Sequence, residues 1–347
     1  MIRRVFVSDV HMGLGGQPYD WLNETEAEAF GEFLDYVAGN AEFHELILVG
    51  DTMDDWVYPI NKQPPTYADI EGKGTPTRHA NLDKLRAIAK SKPVTYLVGN
   101  HDITITQNSI PNFGNGTSSN VIFQWSYDVD GLWAEHGNRY TIWNAWDQKN
   151  DVPVGHYISR LSATAGRPAR WQDAIDDILH SLDPTRENPY VNLPIDYFVN
   201  TLGITEETDI LTTAGAAITV ADVREQYADL SERWKNGNHD YPGLMEQFLM
   251  ERSPLGLDQI APLTAMRGHK KVVIFGHTHM EKIEYVYTWD PGPKGPENIY
   301  EAVYANCGAW CQERPYSYVL DEYDGGRHTV SLMRWPDKAP VRPPLTI

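Results

Sequence analysis

The residues best suited to chemistry stand at the ends of short apolar runs. The run 5–7 leads into Asp9-Val10-His11, and the run 46–49 into Gly50-Asp51-Thr52-Met53-Asp54. The run 94–98 leads into Gly99-Asn100-His101-Asp102, and the run 272–275 into Gly276-His277-Thr278-His279. A fifth segment, 132–135, leads into His136-Gly137. Residues i and i+2 of an extended segment point to the same side, so Asp9 with His11, and His277 with His279, can each grip one ion. The glycines that precede several of these residues let the backbone turn sharply and approach an ion closely. Together the segments offer the carboxylates of Asp9 and Asp51, the amide of Asn100 and the imidazoles of His11, His136, His277 and His279. This mixed oxygen and nitrogen set, without a thiolate, suits Mn, Fe, Co, Ni or Zn better than copper(I) or calcium.

The elements that must position these groups follow from the apolar pattern. The runs 5–7, 46–49, 94–98 and 272–275 are too short for helices and rich in β-branched or aromatic residues. Continuous apolarity predicts central strands covered on both faces. Phe30, Phe33, Leu34 and Val37 fall on one helical face, and Leu82, Leu85 and Ala89 repeat the pattern more weakly. Alternating strands and helices predict an α/β core, and in open α/β sheets ligands bind beyond the carboxyl ends of the strands. Residues 145–268 contain no comparable strand run. Val220, Val223, Tyr227, Leu230 and Trp234 predict one amphipathic helix there, and Ala174, Ile175, Ile178 and Leu182 another. The expected organisation is a core of 1–144 and 270–347 with a mostly helical insertion, or cap, at 145–269. Strands are expected again at 299–305, 316–320 and 328–334. The proline-rich end from Pro336 to Ile347 is expected to run extended over the surface.

Composition narrows the function. The 347 residues carry 48 acidic against 29 basic side chains, a formal net charge of −19, which argues against stable nucleic-acid binding. Two cysteines exclude a disulfide scaffold, and Cys307 and Cys311 are read as small buried residues. The start, Met1-Ile2-Arg3-Arg4, lacks the apolar stretch of a secretory signal, and no segment approaches a membrane span. A cytoplasmic protein without a transmembrane segment is expected. His44, His79, His156, His180, His239, His269 and His328 are read as polar surface residues.

The series Asp9-x-His11, Gly50-Asp51-x-x-Asp54, Gly99-Asn100-His101-Asp102, His136-Gly137 and Gly276-His277-x-His279 resembles the calcineurin-like metallophosphoesterase superfamily, with every motif in family order. The resemblance covers the core and not the insertion. It implies a four-layer α/β/β/α sandwich around two divalent or trivalent transition-metal ions, Mn, Fe or Zn. It implies that Asp9, His11 and His279 hold one ion, that Asn100, His136 and His277 hold the other, and that Asp51 bridges them. A water shared by two such ions loses a proton near neutral pH and attacks phosphorus in line with the leaving group. His101 follows Asn100 and is assigned as the general acid. Asp54 is assigned to orient it, as the second Asp of that motif does in relatives. Asn138 departs from the Asp that many relatives carry after His-Gly.

The expected function is a metal-dependent phosphatase or phosphodiesterase acting on a small-molecule phosphoester. Relatives that dephosphorylate proteins carry Arg at the position of Asp55 and Glu at that of Asp102, which disfavours that activity here. Gly50-Asp51-Thr52-Met53-Asp54-Asp55-Trp56, Asn306-Cys307-Gly308-Ala309-Trp310 and Arg314-Pro315-Tyr316-Ser317-Tyr318 resemble a bacterial subgroup related to UDP-2,3-diacylglucosamine diphosphatase. The alternative function is thus a pyrophosphatase for a nucleotide-sugar lipid, although the lipid enzymes often carry Arg in place of His101. A non-catalytic metal-binding scaffold is a further alternative. Candidate substrate contacts are Trp56 and Tyr58, for stacking on a base or ring, and Arg160, Arg167, Arg170 and Arg314, for phosphate or a nucleotide.

Overall fold

The computed structural model describes residues 1–105, 121–147, 149–166, 188–212, 215–235, 261, 264–265, 268–292, 295–311 and 315–347. The first half of the chain runs β1 (Ile2–Val7), α1 (Glu24–Gly39), β2 (Glu45–Val49), α2 (Tyr67–Lys73), α3 (Pro76–Ser91), β3 (Val94–Leu97), β4 (Val121–Gln124), β5 (Ser126–Val129) and β6 (Leu132–Glu135). Helices α4 (Gly155–Ala165) and α5 (Pro189–Leu202) follow, then the hairpin β7 (Asp209–Leu211) and β8 (Ala217–Thr219), then α6 (Val220–Gln226) and α7 (Leu230–Lys235). The chain returns through β9 (Val272–Phe275), β10 (Lys282–Gly292), β11 (Gly295–Asn306), β12 (Tyr316–Asp324) and β13 (Arg327–Trp335), and closes with the short β14 (Ala339–Pro340) and β15 (Leu345–Thr346).

Two sheets carry the site. In the first, β14-β13-β12-β1-β2-β3-β4 lie in that order with β15 also on β13, and β1 through β4 are parallel. In the second the order is β10-β11-β9-β6-β5, with β6, β9 and β11 parallel. The inner faces meet through Phe6, Ile47, Val49 and Leu97 of one sheet and Leu132, Ala134, Ile274 and Val303 of the other. The outer face of the first sheet buries Val5, Val7, Leu46 and Leu48 under Phe30, Phe33 and Leu34 of α1 and Leu82, Leu85 and Ile88 of α3. The outer face of the second packs Val273, Phe275 and Tyr304 against Tyr157, Ile158, Ile195, Val220 and Val223. This is the four-layer α/β/β/α sandwich. The buried parts of these strands, Val5–Val7 in β1, Leu46–Val49 in β2 and Val94–Leu97 in β3, are apolar but for Thr95, as strands covered on both faces require.

Local signals fix where elements start. Asn23 accepts the Glu26 N–H while the Glu26 carboxylate accepts the Asn23 N–H, so α1 opens with a reciprocal cap. Pro76 occupies the start of α3, where its missing N–H costs nothing.

The structure corrects three expectations. The single helix expected over 220–234 is two helices, because the Asn188 amide donates to the Tyr227 carbonyl and its oxygen accepts from the Ser231 hydroxyl, so the 227–230 turn is held by a side chain from outside. His156 and His328 are buried rather than surface residues. His328 pairs with the buried Asp321 at 2.8 Å, and its other nitrogen lies 3.0 Å from the Asp130 carbonyl. The proline-rich end does not merely lie on the surface: β14 and β15 pair with β13, and Leu345 enters the core. The helix expected around Ala174, Ile175, Ile178 and Leu182 lies outside the described residues. Among the described residues no helix is long and apolar enough to cross a membrane.

Candidate metal centre

The parallel strands β1, β2 and β3 of one sheet and β6 and β9 of the other end at the same edge of the sandwich, and the candidate ligands leave from those ends. Beyond β1 and β2 the chain stays paired: Asp9 N–H donates to the Gly50 carbonyl, His11 N–H to that of Asp51 and Met12 N–H to that of Thr52. The backbone there is strained. Asp9, His11, Asp51, His277 and His279 have φ of 54°, 53°, 50°, 69° and 58°, a left-handed region that residues with a Cβ rarely adopt. Each such residue costs about 1–3 kcal/mol, and such outliers gather at functional sites. The glycines permit close approach: a Cβ on Gly99 would stand 2.1 Å from Asp51 Oδ1, and one on Gly50 would stand 2.5 Å from the His136 ring.

Among the described residues the candidate ligand atoms form overlapping clusters, and Asp51 lies in two of them, one with Asp9 and His11 and one with His136 and His277. Beside the first, His11 Nε2 lies 3.1 Å from His279 Nε2, and Asp9 Oδ1 lies 3.2 Å from His279 Nε2. His11 Nε2 is 3.9 Å from Asp9 Oδ1 and 3.8 Å from Asp51 Oδ2. In the second, His136 Nε2 is 3.0 Å from Asp51 Oδ2, and His277 joins the same cluster. Asn100 is buried after β3. All of these side chains except that of His279 are at least nine-tenths buried.

Hydrogen bonds orient the rings toward an ion. A carbonyl only accepts, so His136 Nδ1 donates to the Val49 carbonyl at 2.8 Å and turns the lone pair of Nε2 inward. His11 Nδ1 faces Asp54 Oδ2 at 3.1 Å, which leaves its Nε2 for the centre. Asp9 Oδ2 accepts the His277 N–H, and Asp51 Oδ1 accepts the His101 N–H. Asp9 Oδ1, Asn100 Oδ1 and His136 Nε2 are buried without a hydrogen-bond partner, which is costly unless a cation satisfies them. Burial opposes charge on the His11 and His136 imidazoles, yet the carboxylates beside them hold the pKa values up, at about 10 and about 9. The cluster calls for positive charge, and transition-metal cations match its donor set.

Around the centre, Asp54 Oδ1 stands 3.3 Å from His101 Nδ1 and accepts the N–H groups of Trp56 and Val57. Asp54 therefore faces both His11 and His101, a double role that the spacing did not indicate. Asp102 ties the loops together, accepting from Thr52 N, Gly99 N and the Tyr96 hydroxyl at 2.9, 2.7 and 2.6 Å. Asn138 donates to the Asn144 carbonyl, and the Asn144 amide nitrogen lies 3.4 Å from His277 Nε2. Asn306 donates to the Gly276 carbonyl and Trp310 N–H to that of Asp9, so the 306–310 segment braces the two ligand loops.

The candidate substrate contacts fare differently. Trp56 is fully buried, its ring between His101 and His156 at centroid distances of 4.8 and 5.4 Å. Tyr58 is buried too, and its hydroxyl accepts the Leu14 N–H. Neither offers a face for stacking. Arg160 is fully buried and donates to the carbonyls of Tyr58, Pro59, Lys62 and Leu211, so it fastens α4 to the 58–62 loop rather than facing phosphate. Arg167, Arg170 and Arg314 lie outside the described residues.

Three neighbours of the site were not foreseen. Trp21 lies against His11, His101 and His279, with ring centroids 4.6, 5.3 and 5.1 Å away. Cys311 Sγ is 3.8 Å from His279 Nδ1, on the side of that ring away from Asp9. His156 of α4 packs edge-on to Trp56, and burial pushes its imidazole down to about 3. Trp21 belongs to no periodic pattern, and chain spacing carries no signal for any of the three.

Residues 2–281 match the family described as calcineurin-like phosphoesterase. Comparison with curated proteins gives no match. Among solved structures the chain is similar to a conserved uncharacterized protein from Streptococcus pneumoniae TIGR4, described as a predicted phosphoesterase, at 9% identity, 100% of this chain and 97% of that chain, and a TM-score of 0.33. It is also similar to Vacuolar Protein Sorting 29 from Cryptosporidium parvum, at 10% identity, 100% and 97% coverage, and a TM-score of 0.37. A third similar structure is a Vps29 double mutant from Entamoeba histolytica, at 9% identity, 100% and 99% coverage, and a TM-score of 0.36. With the matched segment spanning most of its length and taking in every candidate ligand, the chain belongs to the calcineurin-like phosphoesterase family.

Proposed function

We propose that this chain is a phosphoric ester hydrolase with a two-metal centre. Asp9, His11 and His279 hold one ion, Asn100, His136 and His277 hold the other, and Asp51 serves both. The observation that supports this reading most is that Asp51 lies in candidate clusters both with Asp9 and His11 and with His136 and His277, while atoms of Asp9, Asn100 and His136 are buried without partners. When bound, Mn, Fe or Zn ions there lower the pKa of water and neutralise the phosphoryl oxygens.

The chain's own residues do the rest. His101 stands beside the ligand groups, in ring contact with His11, and gives a proton to the leaving oxygen. Asp54 faces His101 Nδ1 from 3.3 Å, a carboxylate that favours the protonated ring whose Nε2–H serves the leaving oxygen, and its other oxygen hydrogen-bonds His11 Nδ1. Trp56 and His156 wall off the rear of His101 from water. The segments 1–144 and 270–347 form the catalytic core in this reading, since every proposed ligand falls within them. Residues 145–269 act as an insertion that contributes α4 behind His101.

The test is hydrolysis of p-nitrophenyl phosphate and bis-p-nitrophenyl phosphate by chelator-stripped protein, with and without added Mn(II). The expected result is turnover that vanishes on stripping and returns with metal, the ratio of the two rates sorting monoester from diester preference. Turnover that survives complete stripping, or none in fully metal-loaded protein, would contradict the proposal.

A further inference from the structure

Two indole rings flank His101 among the described residues, and they differ in exposure. Trp56, at 4.8 Å, has no exposed surface. Trp21, at 5.3 Å and tilted by 41°, is partly exposed. Trp21 also reaches His11 at 4.6 Å and meets His279 edge-on at 5.1 Å, so the ring runs along the rim of the first ligand group from His279 to His101. It is held in place by packing against both the cluster of Tyr19, Val57 and Tyr58 and the core beneath α1. A ring held this way loses little freedom when a ligand lies against it.

A phosphoryl group seated on the ligand groups, with its leaving oxygen at His101, carries its leaving group past Trp21. Resting on the hydrolase reading above, we infer that Trp21 is a specificity-determining residue that favours phosphoesters whose leaving alcohol bears a planar aromatic or heteroaromatic ring. The ring stacks in an offset or edge-on geometry on the exposed part of the indole. This places at residue 21 the stacking role that the buried Trp56 and Tyr58 cannot fill.

The experiment compares phenyl phosphate with methyl phosphate, by release of inorganic phosphate, in Mn(II)-loaded wild type, Trp21→Leu and Trp21→Phe. Leucine keeps apolar volume and removes the π-face; phenylalanine keeps a ring. Metal content is measured on each protein. The expected result is that Trp21→Leu lowers the phenyl-over-methyl ratio of kcat/KM by about 3–10-fold, mainly through KM, and that Trp21→Phe restores most of it. A ratio unchanged in Trp21→Leu overturns the inference. Calorimetric binding of phenylphosphonate and methylphosphonate to the same proteins reads the stacking without turnover. If wild type hydrolyses neither ester, the hydrolase reading fails, while the ratio of the two phosphonate affinities still decides the role of Trp21. Equal ratios in wild type and Trp21→Leu, or no phosphonate binding to any of the three, overturn it.

Discussion

Asp51→Asn removes both ions and at least about 10³-fold of the metal-dependent turnover, the scale expected when the charge stabilisation of a two-metal centre is lost. The substitution is nearly isosteric, so the fold is expected to stay. What changes is one oxygen. Asp51 Oδ1 already accepts the His101 N–H, while Oδ2 lies 3.0 Å from His136 Nε2 and 3.8 Å from His11 Nε2. An amide either keeps its oxygen toward the His101 N–H, turning an NH₂ group toward the ions, or breaks that bond to reach them. In both cases the position loses its negative charge, and an amide NH₂ has no lone pair to offer a cation. Elemental analysis after dialysis, alongside circular dichroism, checks this; full occupancy with retained rate would sink the shared-carboxylate assignment.

His101→Ala is expected to keep its metals and lose rate selectively. For methyl or other alkyl leaving groups the loss is about 10²–10⁴-fold, the range for general acid catalysis. For p-nitrophenyl phosphate it is under about 10-fold, because nitrophenolate departs without a proton. The selectivity follows from geometry. The His101 backbone N–H, which holds Asp51, survives the substitution, while the imidazole that Asp54 orients from 3.3 Å is lost. The Brønsted slope of log kcat against leaving-group pKa should steepen relative to wild type. A parallel line, with equal loss for every ester, would show that His101 works through structure alone.

Much of the site was legible because the residues that build it are also the residues that end strands. The runs at 5–7, 46–49, 94–98 and 272–275 became β1, β2, β3 and β9, and their polar ends came together at one edge, since parallel strands in packed sheets deliver their carboxyl ends to the same place. Burial of individual polar and aromatic side chains was not legible. Trp56, Tyr58 and Arg160 looked available for substrate, yet one guanidinium satisfying four backbone carbonyls has no signature in residue spacing. His328 looked like a surface histidine until Asp321, seven residues earlier on the adjacent strand, faced it across the hairpin. Val220, Val223, Tyr227, Leu230 and Trp234 showed an apolar face without showing that it joins the cluster of Phe275 and Tyr304 on the second sheet. Trp21 carried no signal in the sequence: His11 lies on its own loop between β1 and α1, but His101 and His279 reach it from loops far along the chain.

A pair of cations sharing one carboxylate should show in the binding stoichiometry. Calorimetric titration of chelator-stripped wild-type protein with Mn(II), repeated on His136→Ala, tests it most directly. His136 belongs only to the second ligand group, with its inward nitrogen 3.0 Å from Asp51. Two equivalents are expected to bind per wild-type chain and one to be retained by His136→Ala, held by Asp9, His11, His279 and Asp51. A single equivalent in wild type, or two undiminished in His136→Ala, would contradict it.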